Sequence, residues 1–577
     1  MDQNNQFDWS RRLLLPAVVT MLIAKLWLSF TRYLNQDEFE TLHQGWLIFS
    51  GAVQFRDFNS NHPPVAFSIA AALNYLTSDP IVLIYLGRTV TLLSALASLF
   101  LIHQISKSVF EERAARWSTI AYCLNATFWE WSIEIRSDFA SVPLWLFGVY
   151  LFVLQAKCVS YRRALTIGLV LGLAFWANQK VVFLVVPLGL FMLLGGVHKT
   201  WRIQHTAVAL LGSILCSLGF LAHASYIGSL SHMFQHNFEG AWALVLSGDY
   251  AAWRNWTILQ ACRSDLLFVV FGLIASVWSI SQSGTRLGRF AGASAVWMAG
   301  TLFLTPGPFP YFLTSVFPFF AVSIGGWLSQ LEITSNNRQL IPRERQLIML
   351  VAVLYVAFPL TRFAGKFIQP TISRQIQVVR LVNAITDSDS TVFDGAGVQL
   401  NRPDAYPFHW VLWKGELQRY AAISPAEDKQ IDSDSSPKPM PKIFPLLMEN
   451  KCEVVIENYR LAKLPAEDRR QIERRFVPWW GPIRVPGFDS IVPVGTDPVS
   501  FDLSFEGDYV SNLEHLLIDG KPWASGESLQ EGLHTIALSN GQPARVTLQR
   551  MTKADQLRPA TDHIDPKRFL QYYGYGY

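Results

Sequence analysis

The chain has 577 residues, of which 50% are hydrophobic and only 16% charged, with 20 Trp and 39 Phe. So apolar a composition at this length excludes an ordinary water-soluble domain and fits a polytopic membrane protein carrying a soluble part. The formal net charge of +4, with no basic run interleaved with aromatics, gives no footing for a nucleic-acid partner.

Apolar runs bounded by charge fall at 13–31, 81–104, 115–129, 139–156, 164–178, 181–197, 206–222, 264–281, 289–305, 311–330 and 346–362, about eleven predicted membrane helices. The first run is too long for a signal peptide, contains Lys25 and has no small-residue cleavage site before Asp37, so it reads as a retained helix. Lys and Arg gather at alternate ends: Arg11-Arg12, Lys107 with Arg113 and Arg116, Lys157 with Arg162-Arg163, and Lys199 with Arg202. Arg286 with Arg289, and Arg338 with Arg343 and Arg345, continue the series. That asymmetry predicts a multi-pass protein of the inner (plasma) membrane with a cytoplasmic N-terminus. The loop after the first helix and everything beyond 362 then lie outside the cytoplasm.

That first loop, residues 32–80, carries the most informative pair in the chain, Asp37-Glu38. Two adjacent acids at the mouth of a membrane helix are costly unless they stay wet, bind a cation or do chemistry. The bland alternative is a solvated helix end. Residues 37–50 have an apolar stripe with Gly51 as a stop, a predicted amphipathic helix lying on the membrane surface. Residues 54–58 turn the chain, and Pro63-Pro64 opens a second helix to about residue 76. Arg56 and His62 returning near the acids would make a polar cup under a lipid-facing roof. Such a cup suits a substrate with a sugar, a phosphate and a long hydrocarbon tail.

Beyond 362 the long apolar runs stop and Pro, Asp and Ser rise, as in the stretch 432–439. A helix over 371–386, strands at 391–395 and 451–457, and a helix over 464–475 predict a small α/β domain spanning 363–494. From 495 to 577 alternation takes over at 501–505, 515–519, 532–538 and 544–548, with Asp-Gly and Asn-Gly turns, predicting a β-sandwich-like module. The terminal Tyr572–Tyr577 reads as a loosely packed tail. Five scattered cysteines (123, 158, 216, 262 and 452) with no Cys-x-x-Cys argue against a disulfide framework or a cysteine zinc site.

Asp37-Glu38, the turn Gly51-x4-Arg56-Asp57-Phe58 and Asn61-His62-Pro63-Pro64 together resemble the first extracytoplasmic loop of GT-C glycosyltransferases. That superfamily includes bacterial aminoarabinose transferases and protein mannosyltransferases. Arg136-Ser137-Asp138 is similar to the family's Arg-x-Asp element, and Phe309-Pro310-Tyr311-Phe312 followed by Pro318 to its late Pro-x-Tyr-Tyr segment. The aminoarabinose enzymes carry Glu-Lys-Pro where this chain has Asn61-His62-Pro63. Tail pieces such as Val392–Gly395 and Val455–Arg460 also resemble bacterial members.

The resemblance implies a polytopic α-helical GT-C module over 1–362. It also implies a polyprenyl-phosphate sugar as donor, transferred to an acceptor hydroxyl on a lipid, glycan or protein. Asp37 matches the family's first acid and would be the general base, with Glu38 positioning the acceptor or orienting nearby cations. Arg56, Arg136 and Lys180 are candidates to hold the departing phosphate, with His62 as a further donor, and Asp138 and Tyr311 complete the substrate contacts. Each has a structural alternative. In these, Arg56 pairs with Asp57 or Asp37 as a structural bridge, Arg136 pairs with Asp138, Lys180 snorkels, and Tyr311 belongs to an interfacial aromatic belt.

His232 and His236 are spaced to put two imidazoles on one helical face, near His223 and with His43 elsewhere in the extracytoplasmic part, but no third metal ligand is identifiable. No cofactor is therefore assigned, and the family divides on divalent-metal use. Two further classes compete: a lipid or sugar transporter or flippase, for which intramembrane charges and broken helices would be expected, and a membrane-anchored binding protein. Charges concentrated in extracytoplasmic loops argue against the first, and so many spans against the second.

Overall fold

The computed structural model describes residues 8–58, 60, 62–193, 203–234, 250–305, 309–337, 371–406, 443–461, 464–493, 498–539, 542–559 and 569–570. The helices begin with α1 (Trp9–Thr31), α2 (Gln36–Phe49), α3 (Val65–Asn74), α4 (Pro80–Val109), α5 (Glu112–Cys123), α6 (Ala126–Trp131) and α7 (Ser137–Lys157). They continue with α8 (Tyr161–Ala177), α9 (Val181–Leu184), α10 (Val186–Leu193), α11 (Ile203–Tyr226), α12 (Leu230–Phe234), α13 (Tyr250–Gln282), α14 (Arg286–Leu304) and α15 (Leu313–Asn337).

Among the described residues, 7 helices are long and apolar enough to cross a membrane: α1, α4, α7, α11, most of α13, α14, and Pro310–Thr334. The runs expected at 115–129, 164–178 and 181–197 form shorter helices, and 346–362 lies outside the described residues. The first of these breaks for a local reason. Asn125 caps α6 by accepting from Phe128 N at 2.7 Å, while Asp265 of α13 accepts from Ala126 N at 2.7 Å and Thr127 N at 3.0 Å. Buried amides that find side-chain acceptors no longer need a continuous helix.

The span Pro310–Thr334 is 89% buried whereas α11 is 17% buried, so α15 forms the centre of the bundle and α11 presents most of its surface outward. Trp145 and Phe152 of α7 pack with Phe319 of α15 and Phe290 of α14 in the main apolar core. The first loop forms helices α2 and α3 over nearly the expected residues, and Glu38–Gly45 of α2 are buried against α3 and the tail. Helix α2 starts on a capping box: Asn35 accepts from Asp37 N, and Glu38 reaches back to Asn35 N at 2.8 Å. Gly45 lets α2 lie directly on α3, because a Cβ there would stand 2.6 Å from Ala70.

The tail opens with α16 (Ser373–Ile385) and β1 (Thr391–Phe393). It continues with α17 (Ile443–Glu449), β2 (Cys452–Ile456), α18 (Ala466–Arg475), β3 (Phe476–Trp480) and β4 (Ile483–Val492). Strands β5 (Val499–Leu503), β6 (Gly507–Ser511), β7 (Leu516–Ile518), β8 (Lys521–Trp523), β9 (Ser528–Leu529), β10 (Gly532–Leu538) and β11 (Ala544–Arg550) follow. One 7-stranded sheet has the order β1-β2-β4-β11-β6-β9, with β3 also on β4; a 4-stranded sheet has the order β5-β10-β7-β8. Phe488, Phe501, Tyr509, Ile536 and Leu548 form the apolar core they share.

The boundary expected at 494–495 is not a break in the sheet. Strand β4 pairs with β2 and β3 through its first residues and with β11 from Gly487 to Val492, so the α/β part and the β-rich part are sewn together by one strand. The tail also docks on the membrane module. Gln375 donates to Leu34 O at 2.9 Å and accepts from Leu34 N at 2.6 Å, and Val378, Val382 and Ile456 share a core with Phe39 and Leu42 of α2.

Candidate functional site

Helix α2 turns its side chains to different neighbours by its own period, about 100° per residue. Asp37 and Glu38, adjacent in sequence, therefore do different things. Asp37 is 27% exposed, with Oδ2 2.6 Å from Arg136 Nη1. Glu38 is fully buried: Oε2 lies 2.7 Å from Arg88 Nη2 of α4, and Oε1 accepts from Ile135 N at 3.1 Å. Glu38 is thus held inside the protein by Arg88 and Ile135 N.

Arg136 is the residue just before α7 and is 6% exposed. Its Nη1 is shared between Asp37 and Glu134 Oε2, the latter at 3.4 Å, and its guanidinium lies 3.5 Å from the centre of the Tyr311 ring. Burial works against its charge, but Asp37, Tyr311 and Glu134 outweigh it and hold the guanidinium protonated. Arg32, at the end of α1, pairs with Glu134 from the other side. An ordered row of alternating charge thus runs from Asp37 through Arg136 and Glu134 to Arg32.

Lys180 enters from the turn before α9. Its Nζ lies 5.2 Å from the Tyr311 ring centre, and burial lowers its ammonium pKa to about 8. Asn178 fixes this turn: its Oδ1 accepts from Lys180 N at 3.1 Å, and its Nδ2 donates to Asp138 Oδ1 at 3.1 Å. Tyr311 is 7% exposed and stacks on Phe309 at 5.5 Å, so it is part of this cluster and not of an interfacial belt. His62 is pushed down to about 3 by burial, then by Lys180 and Arg136. It is a neutral imidazole at any physiological pH.

Asp37, His62, Arg136, Asp138, Lys180 and Tyr311 are thus brought together, as expected. Arg56 is not. It is half-exposed and forks onto its neighbour Asp57, Nε to Oδ1 at 2.7 Å and Nη2 to Oδ2 at 2.9 Å. Asp57 in turn accepts from Val53 N at 2.7 Å, so the pair clasps the loop on itself. The sequence pattern put Arg56 close in chain order, but the turn at residues 54–58 points it outward.

Three buried polar atoms in the cluster have no hydrogen-bond partner: His62 Nδ1, Arg136 Nε and Asp138 Oδ2. Unpaired donors and an unpaired acceptor in one buried place are costly unless a ligand or water meets them. A small crevice bordered by Trp131, Glu134, Asp138 and Thr314 opens beside Asp138. No group of three or more His, Cys, Asp or Glu with metal-binding geometry occurs among the described residues; His236 lies outside them.

Glu134, Arg32 and Asn178 were not singled out by sequence reasoning. Glu134 could have been, since Glu134-Ile135-Arg136 places two opposite charges two residues apart at a membrane boundary.

Residues 61–226 match the family model for dolichyl-phosphate-mannose-protein mannosyltransferase. No functionally curated protein matches the chain. The chain is similar in structure to ArnT from Cupriavidus metallidurans bound to undecaprenyl phosphate, with TM-score 0.50 and 13% identity over 72% of this chain and 88% of that one. The Archaeoglobus fulgidus oligosaccharyltransferase AglB, in complex with an inhibitory peptide and a dolichol-phosphate, aligns with TM-score 0.46 and 11% identity over 81% of this chain and 73% of that one. By its fold the chain is similar to ArnT, and its residues 61–226 are similar to the dolichyl-phosphate-mannose-protein mannosyltransferases.

Proposed function

We propose that the protein is a membrane glycosyltransferase that moves a sugar from a polyprenyl-phosphate donor to an acceptor hydroxyl, outside the cytoplasm. The observation that carries this reading is the pairing of a partly exposed acid, Asp37, with a buried arginine, Arg136, that is backed by the Tyr311 ring and a second cation, Lys180. Transfer needs a base for a weakly acidic alcohol and fixed positive charge for a leaving phosphate, and the cluster holds both within one side-chain length. The undecaprenyl phosphate bound to the structurally similar ArnT supports the donor class.

In the proposed step the acceptor oxygen attacks C1 of the sugar while Asp37 takes its proton. The C1–O bond to phosphate breaks, and the polyprenyl phosphate leaves with its new charge facing Arg136 and Lys180. The Lys/Arg asymmetry and the docking of the tail on α2 support an extracytoplasmic site.

The test is consumption of synthetic polyprenyl-phosphate sugars by purified protein. Release of free polyprenyl phosphate together with a glycosylated acceptor alcohol is expected for at least one donor. Protein that binds polyprenyl phosphates and consumes no donor sugar would overturn the reading.

A further inference from the structure

Glu134 is the buried centre of a small network that the proposed transfer step leaves unused. Its Oε1 accepts from Arg32 Nη2, and its Oε2 lies 3.4 Å from Arg136 Nη1. Arg32 also donates from Nη1 to Glu130 O, so one guanidinium staples Glu134 to the end of α6. The backbone of Arg32 is fixed where the tail begins: it bridges Thr371, and Ile372 N donates to Thr31 O at 2.9 Å. From the other side Glu38 Oε1 accepts from Ile135 N at 3.1 Å, so the segment leading into Arg136 is clamped twice.

A fully buried carboxylate between two arginines is costly, and apolar side chains of similar volume often hold a segment as well. What the carboxylate adds is direction. Among the described residues, every side-chain hydrogen bond and ion pair of Arg136 runs through Nη1, while its Nε is buried without a partner. Glu134 and Asp37 both hold Nη1, and the opposite edge of the guanidinium, Nε with Nη2, is left to a ligand. That edge is a two-pronged donor matched to two oxygens of one phosphate.

We infer that Glu134 is a positioning residue for the donor phosphate: it holds Arg136 by Nη1 so that the Nε–Nη2 edge meets the phosphate. The inference rests on the proposed polyprenyl-phosphate donor. Asp37 is placed independently of Glu134, because α2 is held by Glu38 on Arg88 and by the tail, where Arg460 Nε donates to Gln36 Oε1 at 3.1 Å. Loss of Glu134 therefore releases the arginine and leaves the base where it is. Charge alone predicts the reverse, since removing a carboxylate beside an anion site strengthens the attraction for an anion. The two accounts differ in sign.

The experiment measures Kd for undecaprenyl phosphate and for uncharged undecaprenol, by tryptophan fluorescence of the full-length protein. Wild type is compared with Glu134→Gln, Arg136→Lys and the double variant. Glu134→Gln and Arg136→Lys should each weaken undecaprenyl phosphate binding about tenfold, the order of one charge-assisted hydrogen bond. The double variant should lose about tenfold and not a hundredfold, because lysine has no fork to aim. Undecaprenol binding should stay unchanged throughout, which a merely structural role of Glu134 would not give. Arg32→Lys, which loosens Glu134 without touching Arg136, is a second arm should Glu134→Gln fold poorly; it should weaken phosphate binding and spare undecaprenol. Unchanged or tighter phosphate binding in the folded Glu134→Gln or Arg32→Lys protein, a multiplicative loss in the double variant, or an equal loss for undecaprenol would overturn the inference. Wild type that binds both lipids equally would overturn the donor reading itself, a result distinct from wild type preferring the phosphate and Glu134→Gln keeping that preference.

Discussion

Arg136 Nη1 stands 2.6 Å from Asp37 Oδ2, with its guanidinium carbon 3.5 Å from the centre of the Tyr311 ring. One arginine is thereby tied to the proposed base and to an aromatic wall at once. In the proposed reaction a donor phosphate competes with Asp37 for the same guanidinium. On that proposal, donor arrival frees the base.

The coupling gives Arg136 and Arg56 opposite expected phenotypes. Arg136→Ala should lose roughly 2–4 kcal/mol in kcat/KM for the donor, with only partial rescue by Arg136→Lys, which lacks the planar fork. Arg56→Ala should leave donor kinetics within about twofold of wild type, since an exposed pair contributes about 0–1 kcal/mol. Steady-state kinetics on the two purified variants decide the matter, and equal losses in both would contradict the geometry.

Glu38 is expected to behave as an anchor. Glu38→Gln leaves Arg88 charged and buried without its counter-ion, and Arg88 already has Nε and Nη1 unpartnered. The cost should be about 3–5 kcal/mol of stability, read as a large fall in melting temperature. An unchanged melting temperature with lost activity would instead make Glu38 a substrate contact.

Lys180 sets an expected alkaline limit. Its ammonium, lowered to about 8 by burial, is charged below that pH and neutral above it. Donor kcat/KM should therefore fall as pH rises through about 8, and Lys180→Arg should move that limb upward by more than a unit. A limb that stays in place in Lys180→Arg would remove Lys180 from phosphate binding.

Tail docking should carry its own pH signature through His43. Burial lowers its pKa, but Asp404, Leu400 O and Asp394 outweigh that and raise it above 6.5. A group raised in the folded state gives stability that is complete below the unfolded value and is lost as pH rises through the folded value. The melting temperature should therefore decline above about pH 6.5, and His43→Gln should flatten that slope. A slope that persists in His43→Gln would assign it elsewhere.

Sequence reasoning reached Asp37, Arg136, Asp138, Lys180 and Tyr311 because each sits in a short motif at a membrane boundary, where a charge is conspicuous. For Arg56 it left two readings open, because distance along the chain cannot show which way a turn faces; residues 54–58 turn it outward onto Asp57. It could not reach Arg460, which meets α2 across more than 400 positions of chain. The first-loop helices and most tail elements were legible from periodicity, as α2 and β10 illustrate. The boundary at 494 was not, since a ten-residue strand such as β4 serves two pairings that composition does not separate.

The role of Asp37 as the base is tested most directly by single-turnover transfer in Asp37→Asn at saturating polyprenyl-phosphate sugar. The amide keeps the shape and removes the proton acceptor, so donor should still bind while the rate falls by roughly two to four orders of magnitude. Near-wild-type transfer by correctly folded Asp37→Asn protein would contradict the mechanism.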